Sequence, residues 1–179
     1  MKKPNLKNLT LMALFAALMC ASAIISVPLI IPITLQTLVV CLCCELLGSK
    51  KATIVYLVYM AIGFLGLPVF SGFKGGASAL FSNTGGFIIG FLAFIIIKGL
   101  TKKLFKNELI SFVASSILGL IALYIIGSIW FCFVYYNNFS LPIYISSLLV
   151  SVLPFILPDI LKIIIAAIIS KRIKKFFIV

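Results

Sequence analysis

Long apolar runs, interrupted at short intervals by clusters of lysine, constrain this chain more than any other feature. A helix that crosses a bilayer needs ~20 mostly apolar residues. Six stretches approach that length, at roughly 9–26, 34–48, 52–67, 84–100, 109–135 and 144–170. The breaks between them hold Pro28 and Pro32, Ser49–Lys51, Pro68–Gly76, Thr101–Asn107 and Asn137–Pro142, and glycine and proline are the residues that end regular structure. Apolar residues make up 64% of the chain and charged residues 10%, with a mean hydropathy of +1.33. Soluble domains run at about 45–50% and about 25%. A soluble domain of this size leaves much of its surface in water and has nowhere to hide the excess. The composition excludes a soluble enzyme, a disordered chain and a nucleic-acid-binding domain. It predicts an all-α integral membrane protein, one domain over residues 1–179.

The charges set the expected topology. The net charge is +12, from fifteen Lys and Arg against three Asp and Glu. Lys2, Lys3 and Lys7 precede the first run, and Lys50 and Lys51 follow the second. Lys98, Lys102, Lys103 and Lys106 close the fourth, and Lys171, Arg172, Lys174 and Lys175 close the sixth. Thirteen of the fifteen therefore fall on one side of a six-helix zigzag. By the positive-inside rule that side is the cytoplasm. Six transmembrane helices with N- and C-termini cytoplasmic are expected, in a multi-pass protein of the cell membrane. The basic N-terminus reads as the start of the first helix rather than as a cleaved signal, because the apolar run continues past signal length.

Catalytic chemistry is poorly supplied. There is no His, the commonest general base and metal ligand. The only acids are Glu45, Glu108 and Asp159. Glu45 is expected at the inner end of the second helix beside Lys50 and Lys51, and Glu108 at the positive end of the fifth. Cys41, Cys43 and Cys44 lack the further ligands a metal needs, and five cysteines in apolar runs form no disulfide scaffold. No catalytic residue, metal or cofactor is expected. No Gly-Lys-Ser/Thr nucleotide loop is present either.

Residues that are costly to keep in a membrane point to a ligand site. Asp159 and Lys162 stand three apart on one helix face. Asp159 lies about 18 Å of helix from the basic cluster at Lys171, in the outer half of the hydrocarbon core. An ionisable pair at that depth marks a functional site by default. Pro154 and Pro158 precede it, so the regular part of the last helix is expected to begin at Pro158, facing a pocket. Seven glycines between Gly66 and Gly90 suit an outer loop that folds over a ligand, with Phe70 and Phe73 packed inward. Within it Lys74, the only outer cation, Gly75, Gly76, Asn83, Thr84 and Gly85 are candidate contacts, Thr84 also as a helix cap. Gln36 begins the second helix at its outer end, and Tyr124 lies in the fifth. Trp130 fits an aromatic belt. Ala13, Ala17 and Ala21 form a small-residue stripe that lets another helix approach closely.

Together these residues resemble the BioY family, the biotin-specific substrate-binding components of energy-coupling factor transporters. The resemblance rests on Pro32-Ile33-Thr34-Leu35-Gln36-Thr37, Gly66-Leu67-Pro68-Val69-Phe70, Gly75-Gly76, Thr84-Gly85-Gly86-Phe87, and Pro154-Phe155 with Asp159-Ile160-Leu161-Lys162. Ser82-Asn83, Phe87 and Ser49 stand where the family often has Gly-Pro, Tyr and Pro. The resemblance implies six helices, with biotin held in an outer pocket shaped by the loops and the fourth to sixth helices. It assigns polar recognition to Asp159 and Lys162. It implies docking through Ala13, Ala17 and Ala21 on a transmembrane coupling subunit of the EcfT kind, energised by two ATPase subunits. The alternatives are a sister component for thiamin or riboflavin, a lipid-acting membrane enzyme, and a purely structural subunit.

Overall fold

The computed structural model describes residues 6–137 and 140–177; Lys2 and Lys3 of the first basic cluster lie outside them. The chain is mostly helical: α1 (Leu6–Ile24), α2 (Gln36–Leu47), α3 (Ser49–Phe64), α4 (Ala77–Leu80), α5 (Gly85–Thr101), α6 (Glu108–Tyr136), α7 (Leu141–Ser151) and α8 (Leu153–Phe177). A two-stranded hairpin, β1 (Ser26–Val27) and β2 (Ile33–Thr34), joins α1 to α2. Helices α1, α6 and α8 are long and apolar enough to cross a membrane.

The helices are built with their polar faces inward. On α8 the buried residues are Asp159, Lys162, Ile163, Ala166, Ala167 and Ser170, which recur at helical spacing. The opposite face exposes Ile160, Leu161, Ile164 and Ile168. On α6, Ser111, Ser115, Ser116 and Ser128 point inward while Ile117, Ile121 and Ile125 face out. Such a surface is stable against hydrocarbon and not against water.

Local chemistry sets the element ends. Asn107 caps α6 by accepting hydrogen bonds at Oδ1 from the Leu109 and Ile110 amides, at 3.0 and 3.2 Å. Asn137, in the left-handed conformation, ends it. A single residue, Gly48, with φ of 81°, turns α2 into α3. The expected break at Ser49–Lys51 therefore shrinks to that glycine, and the lysines sit in the first turn of α3. The sixth run splits into α7 and α8 at Val152. Pro154, in the first turn of α8, has no N–H with which to continue α7. Contrary to the sequence expectation, α8 is regular from Leu153 onward and carries Pro158 inside it.

The helix ends that carry the lysine clusters are tied by charge. The buried Glu45 carboxylate on α2 accepts from Lys102, just after α5, at 2.9 Å and from Lys174 on α8. Lys174 also meets Glu108 at the start of α6. The expected partners Lys50 and Lys51 are not used, because α3 turns them away; Lys51 donates to Asn8 instead. Lys98, counted above with the inner cluster, is only 1% exposed. Its ammonium donates to the Phe112 carbonyl at 3.1 Å and to Ser116 at 2.5 Å, and it lies over the Phe112 ring. That tether holds α5 against α6 and places the charge inside the bundle rather than at its face.

Candidate functional site

At the opposite end of the bundle a cavity lies beneath the β1–β2 hairpin and the segment 66–84, with about 590 Å³ of space between atoms, its mouth included. Its polar floor is built from three helices. Asp159 of α8, 3% exposed, is the centre. Its Oδ1 accepts from Lys162 Nζ at 2.8 Å and from Thr37 Oγ1 of α2 at 3.0 Å. Its Oδ2 accepts from Tyr124 of α6 at 2.8 Å. A carboxylate offers about four acceptor positions, so one remains open on Oδ2. Lys162, 7% exposed, has Asp159 as its one hydrogen-bond partner among the described residues and keeps N–H groups to spare. A buried charge is tolerable when paired in this way.

Beside the floor, Gln36 donates through Nε2 to the Tyr59 hydroxyl at 2.9 Å, and its Oε1 has no hydrogen-bond partner among the described residues. The walls are aromatic. Phe87 and Phe91 come from α5, and Phe155 from α8 stacks on Phe87 with ring centroids 6.3 Å apart. Phe70, almost fully buried, meets Tyr59 edge-on at 5.5 Å. Two close approaches seat these rings. A Cβ on Gly63 would stand 2.2 Å from the Phe70 ring, and one on Gly127 would stand 2.5 Å from Phe87. The Oγ of Ser71, which also lines the cavity, is buried with no hydrogen-bond partner among the described residues.

Of the residues singled out from sequence, Gln36, Thr84, Tyr124, Asp159 and Lys162 converge on this cavity. Lys74, Gly75, Gly76, Asn83 and Gly85 do not line it. Lys74 is exposed, and its backbone closes a tight turn by accepting from the Phe70 amide at 2.9 Å. Gly75 and Gly85 permit close chain crossings: a Cβ there would meet the Leu67 and Leu80 carbonyls at 2.4 and 1.7 Å. Gly76, with φ of 82°, donates its amide to the Gly63 carbonyl at 2.7 Å. These glycines shape the covering segment. Thr84 stands at the start of α5 but makes no side-chain cap, because its hydroxyl bonds Ser82. Phe70 packs inward as expected, whereas Phe73 is 68% exposed at the turn, with φ of 57°. Trp130 is not a free belt residue: its Nε1 donates to the Ser82 carbonyl at 3.0 Å and pins the end of the covering segment.

Sequence reasoning missed Thr37, Tyr59, Ser71 and the Phe155 wall. Thr37 carried the clearest signal, a hydroxyl one residue from Gln36. The α2 and α3 contributions also widen the expected frame of the fourth to sixth helices. The Ala13, Ala17 and Ala21 stripe is exposed on the outer surface of α1, away from the cavity. Among the described residues no three His, Cys, Asp or Glu side chains gather to hold a metal. The cavity offers instead an acceptor, an ammonium, an amide carbonyl and an apolar wall. That set suits a compact ligand carrying N–H donors, a carbonyl or carboxylate and an apolar body.

Comparison with known proteins points to one family. A family model described as the BioY family matches residues 1–178. The chain is 35% identical over 171 residues to the biotin transporter BioY of Thermotoga maritima, covering 95% of this chain and 97% of that protein. It is 38% identical over 170 residues to the probable biotin transporter BioY of Pyrococcus horikoshii, covering 94% and 96%. Among solved structures, the S-component for biotin from an ECF-type ABC transporter superposes with a TM-score of 0.79 at 30% identity, covering 98% of this chain and 94% of that one.

Proposed function

The chain belongs to the BioY family of membrane proteins, and on that premise we propose that it binds biotin in the cavity over Asp159 and Lys162 and serves as the substrate-binding subunit of an ECF-type importer. The observation that carries this reading is the buried Asp159 carboxylate, oriented by Thr37, Tyr124 and Lys162 with one acceptor position open to the cavity.

Biotin presents ureido N–H donors and a ureido carbonyl, a thioether ring and an apolar tail ending in a carboxylate. A ureido N–H fills the open position on Asp159 Oδ2. Lys162 donates to the carbonyl or the carboxylate, and Gln36 Oε1 and Ser71 Oγ complete the polar contacts. Phe70, Phe87, Phe91 and Phe155 cover the ring and tail. A hydrogen bond to a charged group contributes roughly 1.5–3 kcal/mol, enough for a few such bonds to dominate affinity once the apolar body is buried. The segment 66–84 covers the ligand, anchored at Gly63 and Trp130.

The topology follows the charges. The bundle crosses the cell membrane six times, through α1, α2, α3, α5, α6 and the α7–α8 pair, with both termini cytoplasmic. Helix α2 rises only about 18 Å, and the β1–β2 hairpin completes its path to the outer face. No nucleotide loop is present, so ATP is hydrolysed by two partner ATPase subunits and the work reaches this chain through a transmembrane coupling subunit. The exposed Ala13, Ala17 and Ala21 stripe on α1 is the docking face, where small residues permit close helix packing.

The test is transport in vesicles. Co-reconstituted with coupling and ATPase subunits, the chain is expected to accumulate labelled biotin only when ATP is supplied. Uptake that ignores ATP, or no biotin uptake by an assembled complex, overturns the proposal.

A further inference from the structure

The inner end of the molecule carries a second, wider opening that the transport reading does not use. It lies between the start of α6 and the last turns of α8, with about 1220 Å³ of space, its open side included. Its deep lining combines apolar Phe112 and Ala167 with polar Glu45 and Ser170, and Leu109, 60% exposed, stands at its edge. Its rim is cationic. Lys171 and Lys175 stand four apart on α8, both exposed, and neither makes an ion pair among the described residues. Lys174, between them, is held by Glu45 and Glu108. One Glu108 oxygen has no partner among the described residues, and Asn107, its own oxygen committed to capping α6, keeps its amide N–H groups.

We propose that this slot holds one anionic glycerophospholipid, with phosphatidylglycerol chemistry. Its phosphate bridges Lys171 and Lys175. Its head-group hydroxyls donate to the free Glu108 oxygen, and the Asn107 amide donates to a phosphate or ester oxygen. One acyl chain lies along Leu109, Phe112 and Ala167. Three arguments select a lipid over a protein segment. The apolar part of the lining, Phe112 and Ala167, gives way to the lysines within one turn of α8, about the depth of one head-group layer. The exposed face of Leu109 continues the outward apolar surface of α6. Three lysines against two glutamates leave the slot net positive, which favours an anionic head group over a zwitterionic one. Basic pockets between membrane helices are a known chemistry for anionic lipids. The inference needs only the membrane placement of the bundle and stands apart from the identity of the transported ligand.

The experiment reconstitutes the full chain in phosphatidylcholine nanodiscs doped with phosphatidylglycerol and counts retained lipid by native mass spectrometry after gentle extraction, without biotin. The wild type is expected to retain one phosphatidylglycerol in preference to phosphatidylcholine. Lys171→Gln/Lys175→Gln removes two interfacial cations and is expected to weaken retention about thirtyfold. Lys103→Gln/Lys106→Gln removes equal charge outside the slot and is expected to retain the lipid. Leu109→Trp, at an exposed position that does not threaten folding, is expected to displace it. Equal loss in both lysine variants would show a general charge attraction and overturn the slot. Displacement by soluble glycerol phosphate would reduce it to a free phosphate site and overturn the lipid. Unaltered lipid with lost coupling-subunit capture in the slot variants would assign the surface to a protein contact.

Discussion

Replacing Asp159 with Asn changes one atom of the side chain and removes one charge, yet the structure assigns it a large effect. Asp159 Oδ1 is held by Lys162 and Thr37, both donors, at 2.8 and 3.0 Å. In Asp159→Asn the amide oxygen must stay on that side to meet them. The NH2 group then occupies the Oδ2 position, where it faces the Tyr124 hydroxyl and the open position meant for a ligand N–H. Tyr124 adapts, because a hydroxyl also accepts. A ureido N–H has no such freedom and meets a donor. The expected cost is one charge-assisted hydrogen bond, roughly 1.5–3 kcal/mol, or about tenfold to 150-fold in Kd. The assay is calorimetric titration of biotin against purified wild-type and variant protein, with membrane expression and thermal unfolding as folding controls. An affinity within about threefold of wild type in a folded variant refutes Asp159 as a ligand-contacting group.

Three further outcomes follow from the geometry. Thr37→Val keeps the shape and removes one of the donors that orient Asp159, so biotin affinity is expected to fall about fivefold, less than in Asp159→Asn, because only part of a hydrogen bond to a charged group is lost; an unchanged titration removes Thr37 from the site. Glu45→Ala releases Lys102 and Lys174, both of which reach water, so the cost is expected to be about 1–2 kcal/mol, well short of a sealed pair. This lowers Tm by about 2–8 °C in a thermal-shift measurement, and an unaltered Tm contradicts the clasp. Ala17→Trp places a large side chain on the exposed α1 stripe. It is expected to leave biotin titration intact while abolishing coupling-subunit co-purification and uptake; retained co-purification moves the docking face elsewhere.

The helical order was largely legible because apolar run length and basic punctuation are local signals. Runs three, four and five match α3, α5 and α6 within a few residues. The sixth run hid its break, since Pro154 and Pro158 are equally prolines in sequence and only the tertiary setting decides which one stops a helix. Asp159 and Lys162 were legible because an ionisable pair at membrane depth needs a reason. Tyr124 and Gln36, also singled out, line the same cavity. Tyr59 was not singled out, because a hydroxyl inside an apolar run carries no mark of which helix it will face, and Thr37 stood only as the end of a motif beside Gln36. Lys98 shows the same limit with the opposite sign. It belonged by position to the inner cluster, yet its ammonium turns toward three oxygens of α6, a choice fixed by Ser115 and Ser116 on a different helix. The glycines at 75, 76 and 85 read as ligand contacts because backbone exposure and close chain crossing demand the same residue.

The most direct test of the account is a calorimetric titration of the purified chain with biotin, thiamin and riboflavin in parallel. The account predicts saturable heat with biotin alone, at one ligand per chain. No biotin heat from a folded protein, or saturable binding of thiamin or riboflavin in its place, would contradict it.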